Sequence, residues 1–91
     1  MFAVVVRESG DSKMINGSGE HVETNVVPRT RQAPGFVSAV WMTDSVGGTL
    51  NVLVFESEEA ASAALARVRD APRPAFMRLE SADVYEVLAR A

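Results

Sequence analysis

Cysteine is absent from this chain, and histidine, tryptophan, tyrosine and lysine occur once each. Without cysteine there is no disulfide framework, no thiolate zinc site and no redox thiol, which fits a reducing, cytoplasmic setting. One imidazole among scattered carboxylates makes a poor metal site, so no metal is expected. The 9 basic residues are outnumbered by 12 acidic ones. With no positive field to hold a phosphate backbone, nucleic acid is not an expected partner. Long apolar runs are missing too. Met1-Phe2-Ala3-Val4-Val5-Val6 is the opening apolar run, and it lacks both the charged front and the long middle of a secretory signal. Nothing approaches the length that spans a bilayer, so a membrane is not an expected partner either. All basic residues except Lys13 are arginine; with abundant alanine and valine this points to a GC-rich, bacterial coding sequence.

What is present is apolar. At 91 residues and 47% hydrophobic, the chain has material for one hydrophobic core, hence one domain over 1–91, and is too apolar to be disordered. Runs rich in β-branched and aromatic residues predict strands over Met1 to Arg7, Gly35 to Thr43, Thr49 to Glu56 and Asp83 to Arg90. Gly47-Gly48 between the second and third marks a hairpin. Ser57 to Asp70 reads as a helix. Ser57 is its N-cap, Glu58 and Glu59 lie in the first turn, Arg67 and Arg69 in the last, and the stripe is Ala61, Ala64, Leu65 and Val68. A weaker stripe predicts a helix over Gly19 to Gln32, with a kink or restart at Pro28. Ser9 to Ser18 reads as a loop, and Ala71 to Ala82 as a connection packed down by Phe76, Met77 and Leu79.

The order strand, helix, strand, strand, helix, strand predicts an α+β, ferredoxin-like βαββαβ fold with a four-stranded antiparallel sheet and both helices on one face. Alternation along each strand leaves apolar residues on both sides. Strand two offers Val37, Ala39 and Trp41 against Phe36, Val40 and Met42, and strand three offers Leu50, Val52 and Val54 against Leu53 and Phe55. Two helices cover one face. The other is expected to meet a second copy of the chain, sheet to sheet, giving a homodimer.

The run from Val26 to Trp41, VVPRTRQAPGFVSAVW, resembles the helix-to-second-strand passage of antibiotic biosynthesis monooxygenase-like proteins of the dimeric α/β-barrel superfamily. Leu53 to Ala61 and Ser81 to Leu88 are similar to other parts of that pattern. The resemblance spans nearly the whole chain, mostly through structural residues. It implies paired ferredoxin-like subunits, each with a pocket between sheet and helices. It leaves the chemistry open, because the superfamily includes cofactor-free oxygenases of aromatic polyketides, haem-degrading enzymes, isomerases and members without assigned activity. Its haem degraders use an Asn on the first strand and a Trp and His around the second helix. This chain has no Asn in Phe2 to Glu8 and neither Trp nor His in Ser57 to Asp70, so no haem or other cofactor is expected.

Four side chains remain as candidates. Trp41 either walls a pocket, stacking on a planar ligand, or packs in core or interface. Asn51, polar in an apolar strand, either ties down backbone or lines that pocket. Tyr85 either turns its hydroxyl toward the ligand or packs. His21, the only imidazole, is a weak candidate for a base and otherwise a surface residue. Arg7 and Glu8 are expected to form solvated pairs. The favoured reading is a non-catalytic binder of a small apolar or aromatic molecule. The alternative is a cofactor-independent monooxygenase on a planar, polyketide-like aromatic, in which a substrate carbanion gives its electrons to oxygen. The protein would then supply a dry pocket, a proton acceptor and an oxyanion donor.

Overall fold

The computed structural model describes residues 1–91. Its strands are β1 (Phe2–Gly10), β2 (Phe36–Thr43), β3 (Gly48–Phe55) and β4 (Met77–Glu86). They form one antiparallel sheet in the order β2-β3-β1-β4, which is the expected ferredoxin-like α+β arrangement. A short helix α1 (Ser12–Asn16) follows β1 where the sequence suggested a loop, with the Asp11 side chain accepting from the Met14 N–H. The next helix, α2, runs continuously through Gly19–His21, a π-helical turn at Val22–Val26, and Val27–Arg31. The last helix is α3 (Glu58–Asp70). No helix is long and apolar enough to cross a membrane.

The helices form where their end signals lie. Ser57 accepts from the Ala60 N–H at 3.1 Å, and Ala61 and Ala64 are buried with Leu65 and Val68 packed beside them, as the stripe predicts. Pro28 does not break α2. Proline lacks an N–H and its ring presses on the carbonyl four residues back. The turn just ahead is wound wider, with the Val27 N–H reaching Val22 O, which makes room for that ring.

Two boundaries differ from the sequence reading. β4 begins at Met77 and ends at Glu86, so the predicted connection supplies its first half and Val87–Ala91 lies beyond it. Arg78, Glu80 and Asp83 are exposed along this edge strand, and those outward charges hide its alternation. In β2, a bulge between Phe36 and Ser38 shifts the register. Phe36 therefore joins Ala39 and Trp41 on the helix-facing side, where it meets Phe55 edge to face at 6.0 Å.

The core lies between the sheet and the helices. Val4, Val6, Leu53, Phe55, Ala61, Ala64 and Ala82 form its buried centre. The opposite sheet face carries no helix. Its rows read Ser38, Val54, Ala3, Tyr85, then Val40, Val52, Val5, Asp83. Val40 is 46% and Met42 41% exposed there.

The β2–β3 hairpin turns through Asp44 to Gly47. Asp44 accepts from the N–H groups of Val46 and Gly48, at 2.9 Å each. Those two backbone bonds hold its carboxyl below the usual range. Gly35, where the chain leaves α2, has φ +74°, and a β-carbon there would come within 2.8 Å of the Ala60 Cβ.

Gly35→Ala is accordingly expected to cost about 1–3 kcal/mol of stability, from the left-handed backbone alone. Gly19→Ala, on a helical turn with nothing within 4 Å of the added carbon, is expected to raise stability by up to about 1 kcal/mol. Urea denaturation of the two variants measures both.

Candidate functional site

On its helix-facing side the sheet grades from apolar to polar in four steps. The residues opposite one another across β2, β3 and β1 are Phe36–Phe55–Phe2, Ala39–Leu53–Val4, Trp41–Asn51–Val6 and Thr43–Thr49–Glu8. The first two rows belong to the core, and so does Val6 in the third. The rest of the last two rows forms a polar end where that core gives out.

This geometry brings together two of the residues singled out from sequence. Trp41 and Asn51 are cross-strand neighbours on one face, both half-buried. Trp41 also lines a cleft of about 290 Å³ between β2 and α2, with Val27, Arg31, Phe36 and Ala39. Tyr85 is not part of this site. It pairs with Ala3, so it points to the opposite face of the sheet, 57% exposed. His21 is exposed on α2, one turn ahead of Asn25, whose Nδ2 lies 3.1 Å from its Nδ1.

Sequence reasoning missed the residues that hold Asn51. Glu8 is not solvated. It shares the face of Val4 and Val6, and its carboxylate accepts from Asn51 Nδ2 at 3.2 Å and from Arg73 Nε at 2.7 Å. The Glu8 and Arg73 side chains are only 13% and 17% exposed. Arg73 also donates to the carbonyls of Val68 and Ala71, which belong to the end of α3 and the residue after it. One guanidinium thus ties the α3–β4 connection to the floor of the sheet, its three nitrogens each donating to a different residue. The signal available in the sequence was strict alternation: Val4, Val6 and Glu8 share parity. Arg7, by the same alternation, is exposed on the other face.

In the polar row, the hydroxyl of Thr49 is buried and has no hydrogen-bond partner within the chain. Thr43, its neighbour on β2, bonds to Asn16 Oδ1 at 3.3 Å. The groups moved from their ordinary pKa lie elsewhere. Besides Asp44, Glu80 is held low by the Ser9 hydroxyl and then by Arg78, and Arg78 is raised in turn by Glu80. No cluster of three metal-ligating side chains occurs.

Among solved structures, a monooxygenase of Streptomyces coelicolor from the gene ActVA-Orf6, in complex with nanaomycin D, superposes with a TM-score of 0.63. It is 20% identical over 99% of this chain and 89% of its own. The heme-degrader MhuD of Mycobacterium tuberculosis, with two hemes in its active site, gives 0.59 at 18% identity over 100% of this chain and 99% of its own. A mutant of MhuD with two manganese protoporphyrin IX bound per active site gives 0.56 at 16%, over 100% and 98%. This chain has their fold. No protein-family model matches the sequence, and neither does any curated protein.

A haem fits the residues present poorly. Of the side chains that usually hold haem iron, the one histidine is exposed on α2, the one tyrosine lies across the sheet, cysteine is absent, and none of the four methionines lines the Trp41 cleft.

A buried hydroxyl without a partner carries its desolvation cost uncompensated, about 1–3 kcal/mol. Thr49→Val removes that hydroxyl at constant shape and is expected to raise the stability of the ligand-free protein by about 1 kcal/mol. Chemical denaturation showing a loss instead would mean that the hydroxyl is bonded in solution.

Proposed function

We propose that this chain is an antibiotic biosynthesis monooxygenase-like homodimer that binds a small planar aromatic molecule in the cleft walled by Trp41. The observation that carries the reading is the placement of Trp41. It sits on the helix-facing side of the sheet, half-buried at the edge of a cleft and next to Asn51. An indole used only for packing would be covered by the core row beside it. One left at a cleft edge offers a flat face for stacking and an N–H for orientation. The bound nanaomycin D of the Streptomyces neighbour supports a small-molecule occupant.

The homodimer rests on surface. A folded monomer of 9.8 kDa ordinarily exposes about 5,200 Å², whereas this chain exposes 6001 Å². The excess of about 800 Å² equals what one partner of a standard interface buries. The helix-free face, with Val5, Leu50, Val52, Val40 and Met42, is where that surface is apolar. Joining two such faces removes it from water.

Monooxygenation is the second reading, favoured by the likeness to the Streptomyces enzyme. Binding alone remains the better supported function, because no free base faces the cleft. Both Glu8 oxygens are engaged, and His21 is exposed on the helix. Oxygen uptake with a panel of hydroxylated aromatics separates the two, turnover establishing the enzyme and binding without turnover the binder.

Light scattering at micromolar concentration is expected to give the mass of a dimer, and Val40→Glu, at an exposed position, to shift it to monomer without unfolding it. A wild-type monomer would overturn the homodimer. Calorimetry is expected to find saturable binding of a naphthoquinone. Trp41→Leu should weaken it about fivefold to tenfold, the worth of an aromatic contact; unchanged affinity would place the ligand elsewhere.

A further inference from the structure

We infer that Arg7 and Asp83 of one chain pair with Asp83 and Arg7 of a second copy across the helix-free face of the sheet, and that these two reciprocal ion pairs fix how the copies are oriented. This pairing rests on the homodimer reading and adds what sets the geometry of that dimer.

On the helix-free face, the residues opposite one another across β4, β1, β3 and β2 form three rows. They are Tyr85–Ala3–Val54–Ser38, Asp83–Val5–Val52–Val40 and Ser81–Arg7–Leu50–Met42. Leu50, Val52, Val40 and Met42 make the apolar part, toward β2. Arg7 and Asp83 stand diagonally beside each other at the β1–β4 margin, both exposed. The ion pairs of the chain are Glu8–Arg73, on the other face, and Arg78–Glu80, further along β4. Arg7 and Asp83 have none. Open charges of opposite sign beside an apolar patch have the composition of an interface rim.

The arrangement is self-complementary. A two-fold axis lying between two facing sheets acts, seen through them, as a mirror line. Strands lie about 4.8 Å apart and alternate residues about 6.8 Å along them, so the rows form a grid. On that grid, the line exchanging the positions of Arg7 and Asp83 passes through the midpoint between Val5 and Val52, which are paired across β1 and β3. One diagonal axis therefore closes both Arg7–Asp83 pairs and lays patch on patch. It also carries the exposed Tyr85 over the partner's Leu50. An axis along the strands through the same point would set Arg7 on Leu50 and Asp83 on Val40, stripping water from charges with no return. An axis across the strands would set Asp83 on its own copy, where like charges repel. Of the three, the diagonal alone pairs both charges.

The test reverses the charges one at a time and then mixes the variants, with the mass followed by light scattering and native mass spectrometry. Arg7→Asp and Asp83→Arg, each alone, bring like charges together and are expected to weaken dimerisation about a hundredfold. An equimolar mixture of the two is expected to return the mass of a dimer, as a heterodimer, because the acidic margin of one variant meets the basic margin of the other. A pair confined to one chain could not be repaired by mixing. Either variant dimerising as tightly as wild type overturns the inference and leaves the homodimer standing. So does a mixture that stays monomeric. Should a reversal unfold the chain, Arg7→Glu and Asp83→Lys repeat the mixing. If wild type is itself a monomer, the homodimer reading falls and takes this inference with it.

Discussion

β1 is hydrogen-bonded along its length to β3 on one side and to β4 on the other, and its alternation decides what meets the helices. Val4 is fully buried at its centre and Val6 nearly so. Moving β1 by one residue would turn Val4, Val6 and Glu8 outward together and bring Val5 and Arg7 under the helices. The apolar members make that slip costly, and so the polar member, Glu8, is carried inward with them. A carboxylate drawn under the helices needs compensation there. It finds Arg73 from the far side of the chain and the amide of Asn51 from the next strand. The hydrophobic register thus comes first, and the polar cluster is the arrangement compatible with it.

Most of the fold was legible because its signals are local. The hairpin, the capped α3 and the central strands declare themselves through turn residues, end charges and dense β-branched runs. What escaped was non-local or masked. The bulge that turns Phe36 inward depends on how β2 meets β3 and leaves no trace in composition. The first half of β4 alternates Met77, Leu79 and then Ala82 against exposed charges, behind two prolines, and so reads as a connection. At the site, Trp41 and Asn51 stood out as rare residue types in strands. Arg73 did not, since its partner Glu8 is 65 residues away. Tyr85 drew notice for its chemistry alone, and parity with Ala3 set it across the sheet.

Similarity of fold does not carry the site with it. The solved neighbours hold quite different molecules, nanaomycin D in one and hemes in the other. What they share with this chain is a sheet with helices over one face. On one scaffold, function depends on the site that particular side chains build, not on the fold itself. Here the core rows are aliphatic and aromatic, and the polar residues gather at one end, so core and polar cluster are spatially separate.

The wide turn in α2 has a consequence for that separation. Residues of an α-helix are spaced by roughly 100° around the axis, and a π-helical turn takes one more residue to close, so the angular phase slips where it occurs. The stretch bearing Val27 and Arg31, at the rim of the cleft, is therefore out of step with the stretch bearing His21 and Asn25. Loss of one residue at this turn would restore a uniform winding and swing the two stretches into a different mutual orientation. The angle at which α2 overhangs Trp41 is thus a matter of length as well as composition, and a single deletion could reshape the entrance while every residue lining it stayed the same.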